Sequence, residues 1–527
     1  MGITAPPAET AWLLHNALGF AAQAEDDTAA ILAEAARVAE GVLAPLDRPG
    51  DVTGARWHDG TVTVPEGFAD AHRAFAEGGW IGLAAHEQHG GQGLPMAIGL
   101  AAHEMFTAAN FAFGLCPMLT QDAIHLLQAH GAPHQQARFL PKLINGDWTG
   151  TMCLTEPQSG SDLTGVRTRA VPDGNGGFRV SGQKIFITFG EHGMTENILH
   201  LVLARLPDAP AGSAGISLFA VPRRREDGSA NGVRCVSIEK KLGIHASPTC
   251  TMAFEDAAGE LVGPPNQGLA CMFAMMNAAR LGVAMQGVAV AERAFRRALA
   301  YAEDRVQGGG PIVQHPDVRR MLLTMRALAL GGRLLTLYAS LADEPRAALL
   351  IPVAKAWSTE AGVEAASLGV QVHGGAGFVE ETGAAQHLRD SRIAPIYEGT
   401  NGIQALTLLR RGLKRDQGAA CAALLAEIAA DAGPALAHAA QLAAEGAAWL
   451  RQAGAREAEA GATPFLHLLG TVTAGWLCSR VADRADAPAG ARMAATVFIE
   501  QVLPRVHFLA HVVATPSAAL VGAQPIQ

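Results

Sequence analysis

The sequence predicts an α+β multidomain protein: an N-terminal helical domain, a middle antiparallel β-barrel, a C-terminal helical bundle and an added helical domain. Three observations carry this prediction. Helix-period apolar patterns fill residues 25 to 145, short runs rich in β-branched residues replace them between 150 and 265, and long helical patterns return from 266 onward. The length of 527 residues exceeds one ordinary core and fits about three or four domains.

The first domain, 1–150, is marked by DTAAILAEAARVAEGVLAPL and is broken by the loop HEQHGGQGLP at 86 to 95. In the second, 151–265, the runs FRVSGQKIFITF, ILHLVLARL, GISLFAVP, GVRCVSIE and CTMAFED are separated by Gly, Pro, Asp and Asn, the punctuation of a compact antiparallel barrel. The third, 266–411, contains LACMFAMMNAARLGVAMQGVAVAERAFRRALAYAEDRV, apolar enough to be buried on much of its surface, and reads as an antiparallel bundle. The fourth, 412–527, is Ala-rich, with helix breaks expected at Gly433-Pro434, Gly461 to Pro464 and Pro488. Leu and Trp recur in it, so helix propensity explains the Ala content better than low complexity does.

Hydrophobic residues make up 49% and charged residues 17% of the chain, a soluble, core-forming composition. A net charge of -9 gives no overall attraction to nucleic acid or anionic lipid. Seven scattered cysteines, Cys116, Cys153, Cys235, Cys250, Cys271, Cys421 and Cys478, include no C-x-x-C pair and read as buried thiols of a cytoplasmic protein. The N-terminus lacks the basic start and cleavage site of a secretory signal, and no uninterrupted apolar stretch of about 20 residues suggests a membrane span. No strand precedes a G-x-G-x-x-G turn, which excludes a Rossmann dehydrogenase. His86, His89 and His373 sit near glycine-rich loops without metal-ligand spacing, so no metal is expected.

Three segments carry candidate chemistry: CLTEPQSGSD at 153 to 162, GQKIFITFGE at 182 to 191 and RDSRIAPIYEGTNGIQ at 389 to 404. In the first, a strand ending at Leu154 and Thr155 enters a turn whose Gly160 permits close backbone approach and whose Ser161 can meet polar ligand atoms. By itself such a string is an ordinary strand-to-loop turn. In the second, Phe186 and Thr188 are two residues apart on a strand and are expected to share a face, an aromatic plane beside a hydroxyl. The commoner role of such a pair is a core Phe and an edge Thr. In the third, Glu398 precedes Gly399, Thr400 and Asn401 just before the helical ALTLLRRGL, a pattern that also suits a helix start capped by Thr400 or Asn401.

Together, in this order and spacing, the three segments resemble the acyl-CoA dehydrogenase family over roughly residues 30 to 410. The stretch KKLGIHASPTCTMAFEDAAGELVG and the tail past 411 look most like the longer bacterial branch that contains 3-methylmercaptopropionyl-CoA dehydrogenases. The resemblance implies an FAD enzyme that introduces an α,β double bond into an acyl-CoA thioester, with Glu398 as the base that takes the α-proton. Exclusion of water by the bound thioester is expected to raise the pKa of that base in the complex. Some relatives, notably isovaleryl-CoA dehydrogenases, keep the base on the long helix, but the matching residue here is Ala279, which accepts no proton.

The resemblance further implies that Met152, Leu154, Thr155, Gly160, Ser161, Phe186, Thr188 and Thr400 contact FAD, and that Ser161, Asn277, Arg280 and Gly399 face the acyl-CoA. It also implies that Arg305, Gln371 and Gly375 reach FAD bound mainly by another subunit, hence a homodimer or homotetramer, with an electron-transferring flavoprotein as acceptor. Met152 stands where an aromatic residue is frequent, Gly402 where Gln is frequent, and the usual Phe shortly after Arg305 is missing. Two other functions fit the same fold. One is an acyl-CoA oxidase that passes electrons to oxygen. The other is a flavin-containing DNA-associated relative of the alkylation-response type, which needs a basic face. Residues 411 to 527 hold nine Lys and Arg against nine Asp and Glu, which disfavours that second function.

Overall fold

A computed structural model describes residues 2–431, 433–516 and 518–522. The chain divides into two compact units. One, the sheet unit, comprises Arg37–Gly99 and Ala109–Ala279; the other, the helical unit, comprises residues up to 36, Leu100–Ala108 and the chain from Arg280 onward.

In the sheet unit a short ribbon, β1 (Arg56–His58) and β2 (Thr61–Thr63), precedes a seven-stranded sheet. Its strands are β3 (Trp148–Cys153), β4 (Arg169–Pro172), β5 (Phe178–Thr188), β6 (Asn197–Arg205), β7 (Ile216–Pro222), β8 (Val233–Ile238) and β9 (Thr249–Val262). The pairings run β6–β4–β5–β9–β7 and return to β6, with β3 and β8 added at β6 and β9. The expectation of an all-antiparallel sheet needs correction. β3 lies parallel to β6 from Trp148↔Asn197 to Cys153↔Val202, and β4 meets β6 in parallel at Arg169↔Arg205. Parallel neighbours need a crossover rather than a hairpin, and the 153 to 162 loop together with β4 and β5 forms that crossover. The apolar sides of the strands meet in a core that includes Val180, Ile187, Val202, Phe219, Met252 and Phe254.

β5 pairs with β9 through two irregularities, one between Val180 and Gly182 and one between Lys184 and Ile187. The second contains Phe186 in a left-handed conformation, φ 60°. A bulge interrupts strict side-chain alternation and re-aims the residue it carries, so the two-residue spacing of Phe186 and Thr188 does not by itself set a shared face. Phe186 is 60% exposed, while Thr188 is half-buried.

The helical unit is built on three long helices: Gly268–Asp304, counted from Arg280, then Pro316–Leu341 and Arg346–His373. Pro316 and Pro434 occupy first-turn positions where a missing N–H costs nothing. A chain of buried ions fastens the N-terminal segments into this unit. Arg333 grips Glu104 with Nε to Oε2 at 2.8 Å and Nη2 to Oε1 at 2.5 Å, and also reaches Glu292 at 2.8 Å. Arg326 joins Glu292 at 2.6 Å and pairs with Glu9. Burial alone would push the Glu292 carboxyl up, yet Arg326, Arg333 and Arg296 hold it below the ordinary range.

The Gly268–Asp304 helix is long and apolar enough to cross a membrane by length and composition, and the bent pair Ala489–Val502 and Arg505–Ala514 passes the same test if counted as one span. In the former, 61% of the apolar window is buried within the fold, so core packing accounts for its hydropathy.

The helices after residue 415 belong to the same compact unit as the bundle. Trp357 donates its indole N–H to Thr471 at 3.1 Å, and its ring lies beside Phe498. Two of the expected breaks are helix starts, with Gly433 and Pro488 at N-cap positions, but Gly461 and Pro464 lie inside the unbroken helix Ala455–Ala482. That expectation is corrected for a packing reason. A side chain at Gly461 would meet Leu450 and the Val513 carbonyl at 3.0 Å, so the glycine serves close approach between neighbouring segments rather than a turn.

Candidate active site

Glu398 sits on a turn between Ser391, where a short helix ends, and Asn401, where the next begins. It has φ 55° and Gly399 has φ 84°, two successive left-handed residues that an L side chain adopts only under tertiary constraint. The constraint is visible. Gln404 Nε2 donates to the carbonyls of Glu398 at 3.2 Å and Gly399 at 3.1 Å, and the Asn401 N–H bonds the Pro395 carbonyl at 3.0 Å. A Cβ on Gly399 would lie 2.7 Å from Gln404 Nε2 and would push that amide off the turn it holds, in a left-handed backbone that disfavours side chains. Thr400 caps the following helix, accepting from the Ile403 N–H at 3.3 Å, which is the local role its sequence context also suggests.

Residues that sequence reasoning did not single out complete this loop. Lys355, fully buried in the Arg346–His373 helix, donates to the Gly399 carbonyl at 2.9 Å and to Asn401 Oδ1 at 3.0 Å. Asn401 Nδ2 in turn reaches Glu360 at 2.9 Å. The Tyr397 hydroxyl donates to the Gln286 side-chain oxygen on the long helix. The signal for Lys355 was legible: one cation stands within the apolar run LLIPVAKAW, where only a paired charge is tolerated.

The Glu398 carboxyl is raised to about 7 because burial disfavours its charge, an effect that the positive charges of Arg280 and Lys355 only partly offset. Among the described residues no donor bonds this carboxylate, and the backbone N–H groups of Glu398, Gly399 and Thr400 likewise carry no intramolecular bond. Burial in the chain alone raises the pKa, so the shift expected for the substrate complex does not need the substrate. Ala279 is fully buried and offers no competing base.

Arg280 therefore joins Glu398, Gly399, Thr400 and the additional Lys355 in one constellation. Arg305, Gln371 and Gly375 form another group in the helical unit, all exposed. Arg305 ends the long helix with its N–H on the Tyr301 carbonyl at 2.9 Å. The ring of Tyr301 stacks on His373 at 4.4 Å, which ties that helix end to the Gln371 and Gly375 segment. Phe378 beyond it is 87% exposed.

In the sheet unit the 153 to 162 loop is fixed by a buried ion pair that sequence reasoning also passed over. Lys184 donates to the Leu154 carbonyl at 2.9 Å and to Glu156 Oε1 at 2.8 Å. Glu156 also accepts from the Thr168 hydroxyl at 2.6 Å and the Arg167 N–H at 2.7 Å. Burial would raise this carboxyl, but Lys184 and these donors hold it down at about 2. The Thr155 carbonyl accepts from the Ile185 N–H at 2.9 Å, placing the loop beside the bulge of Phe186. Met152, Leu154 and Thr155 are half-buried, and Gly160 and Ser161 are exposed. The N–H groups of Gly160 and Ser161 have no intramolecular partner among the described residues. Apolar side chains, an exposed aromatic ring and free N–H donors on one braced loop and bulge fit a flavin nucleotide, which presents a flat ring system and acceptor oxygens. Asn277 is half-buried on the first part of the long helix, and Gly402 and Met152 are as the sequence gives them.

Among the described residues no group of three or more His, Cys, Asp or Glu could hold a metal ion. The seven cysteines are free and buried.

Comparison with known proteins identifies the family. The N-terminal, middle and C-terminal domains of acyl-CoA dehydrogenases match residues 25–147, 151–257 and 266–413. A region described as acetyl-CoA dehydrogenase C-terminal like matches 408–524. The chain is 47% identical to 3-methylmercaptopropionyl-CoA dehydrogenase of Ruegeria pomeroyi over 88% of its length and 86% of that protein's. Its fold is similar to an acyl-CoA dehydrogenase complexed with FAD from Bacillus anthracis, with TM-score 0.78 at 21% identity, covering 95% of this chain and 90% of that one. It also resembles a chain from a structure of the electron transferring flavoprotein of Acidaminococcus fermentans, with TM-score 0.66 at 26% identity over 75% of this chain and 100% of that one. The chain belongs to the acyl-CoA dehydrogenase family of FAD-dependent enzymes.

Proposed function

We propose that Glu398 is the base that removes the α-proton of an acyl-CoA thioester, making the product a 2-enoyl-CoA. The observation that carries this reading is the Glu398 carboxyl itself: half-buried, free of hydrogen bonds among the described residues, and raised to about 7 by desolvation. A base with a pKa near the working pH combines a useful ionised fraction with real proton affinity. The left-handed turn leaves the Glu398 N–H unbonded, available to the thioester carbonyl oxygen, where charge accumulates as the α-proton departs. Arg280 and Gly399 face the substrate near that carbonyl, and Asn277 and Ser161 contact more distant parts of the acyl-CoA.

Bound FAD would supply the hydride acceptor for the β-position, so that with the α-proton taken by Glu398 the acyl chain gains a double bond. Met152, Leu154, Thr155, Gly160, Ser161, Phe186, Thr188 and Thr400 would hold it. Phe186 contributes an apolar ring face, and the N–H groups of Gly160 and Ser161 serve as donors. Arg305, Gln371 and Gly375 extend the FAD site of another subunit in a homodimer or homotetramer; their exposure, with Phe378 beside them, supports that reading. We retain 1–150, 151–265, 266–411 and 412–527 as divisions of the sequence, the last two sharing one compact unit from Arg280 onward, with the seven-stranded sheet as a barrel, a cytoplasmic location and an electron-transferring flavoprotein as acceptor.

Anaerobic titration of the purified yellow protein with saturated acyl-CoAs tests the reaction class, with 3-methylmercaptopropionyl-CoA and butyryl-CoA in the first panel. Bleaching of the flavin with formation of the matching 2-enoyl-CoA is expected. Full binding of several acyl-CoAs without bleaching by any of them contradicts it.

A further inference from the structure

The loop that presents Glu398 is anchored on a buried cation. Lys355 has no exposed surface, and its ammonium spans the Gly399 carbonyl and Asn401 Oδ1, the residues one and three places beyond Glu398. Asn401 is held on its other side by Glu360 at 2.9 Å, Thr359 Oγ1 at 3.2 Å and the Ala356 carbonyl at 3.4 Å. All three belong to the helix that carries Lys355. The helix thus grips the turn at both ends of one short network.

We propose that Lys355 is a positioning residue for the dehydrogenation: its ammonium fixes the left-handed Glu398–Gly399 turn and supplies a positive charge that keeps the neighbouring carboxylate available as a base. The inference rests on the assignment of Glu398 as that base. A desolvated carboxylate is stabilised by a nearby cation far more than a fully exposed one is. An ammonium that spends its hydrogen bonds on the turn acts on the carboxylate through its field, so Glu398 stays unbonded and free to take a proton. Arg280 acts on Glu398 as a second positive charge, whereas Lys355 combines its charge with a bond to the Gly399 carbonyl, which Gln404 also holds.

The charged surroundings are few. Glu398 on the turn, Glu360 on the same helix and Arg280 on the long helix act on Lys355, while Arg411 acts on Arg280. Burial pushes the Lys355 ammonium down to about 7, the Glu398 charge acting to hold it up. The two groups therefore support each other's charged forms near neutrality. Removing the lysine raises the pKa of the carboxyl, since burial is then opposed by Arg280 alone.

The test follows the Glu398 carboxyl directly in the FAD-bound protein without substrate. Infrared spectra are recorded from pH 5 to 9, and the Glu398 band is identified by its loss in Glu398→Gln. In Lys355→Met, or in Lys355→Gln if the former does not retain FAD, the midpoint is expected to move up by about one unit. The rate of flavin bleaching at pH 6 is expected to fall by at least about tenfold, with a smaller loss at pH 9. Lys355→Arg should recover most of the wild-type midpoint. An unchanged midpoint in the neutral variant overturns the inference, as does failure of both neutral variants to fold, which makes Lys355 a structural residue only. Unaltered bleaching by Glu398→Gln is a separate result that removes the base assignment itself, whatever the Lys355 variants show.

Discussion

At the residue scale, Glu398 combines three features that rarely coincide: a left-handed backbone, a desolvated carboxyl and two cations that temper its pKa without bonding it. Each has a cost, and non-glycine residues in that backbone region are about 1–3 kcal/mol strained. The consequence is a definite pH dependence. The proposed base role requires Glu398 to be ionised, so kcat/KM should be near its plateau well above pH 7 and fall about tenfold per unit well below it, with a midpoint near 7. Flavin-reduction rates at low acyl-CoA concentration across pH 5.5 to 9 check this; a flat profile down to pH 5.5 contradicts it. Glu398 was legible in the sequence because PIYEGTNG is a local string. Lys355 was not linked to it, because the pairing of residues 355 and 399 is a tertiary fact, although a lone cation in an apolar helix marks such a position.

At the scale of elements, the loop from Cys153 to Asp162 owes its shape to Glu156 and Lys184 more than to its glycine. Lys184 is buried on β5 and bonds both the Leu154 carbonyl and Glu156. Replacing it with Met strands a buried carboxylate, and such losses cost about 3–5 kcal/mol. The sign with pH follows from the depressed Glu156 pKa of about 2. The pair's contribution is complete above the ordinary carboxyl range and is lost as pH falls towards 2. Denaturant unfolding of Lys184→Met should therefore show its full deficit at pH 7 and a shrinking one below about pH 4.5, with weakened FAD retention. An equal deficit at pH 7 and pH 3 contradicts the ion-pair account. The alternation of β-branched residues foretold the strands of this unit, but not the parallel pairing of β3 with β6 or the bulge at Phe186. Register depends on which strands meet, and a period of two carries no partner identity.

For the molecule as a whole, four domain-sized textures in the sequence correspond to two compact units in space. The Ala-rich C-terminal helices looked separable because their composition differs, yet they share a core with the bundle. Gly470 lies against Trp357, where a Cβ would come within 2.7 Å of the indole, and Gly331 lies against Phe498, where it would come within 2.4 Å. Small residues facing large ones across that contact carry no sequence periodicity, so composition alone hid the joint. A cavity of about 380 Å³ lined by Glu360, Trp357, His467, Thr471 and Phe508 lies along the same joint. Gly470→Val should overpack it and cost about 1–3 kcal/mol. Calorimetry is expected to show the bundle and the C-terminal helices melting earlier in one transition, whereas a separate, unshifted bundle transition contradicts a shared core. The central claim concerns one carboxylate, and the most direct measurement is anaerobic flavin reduction by Glu398→Gln mixed with an acyl-CoA that bleaches the wild-type protein. The amide keeps the size of the side chain but accepts no proton. FAD and acyl-CoA binding should persist while the rate of bleaching falls by at least about a thousandfold, the loss expected when a positioned base is removed; bleaching at the wild-type rate contradicts the account.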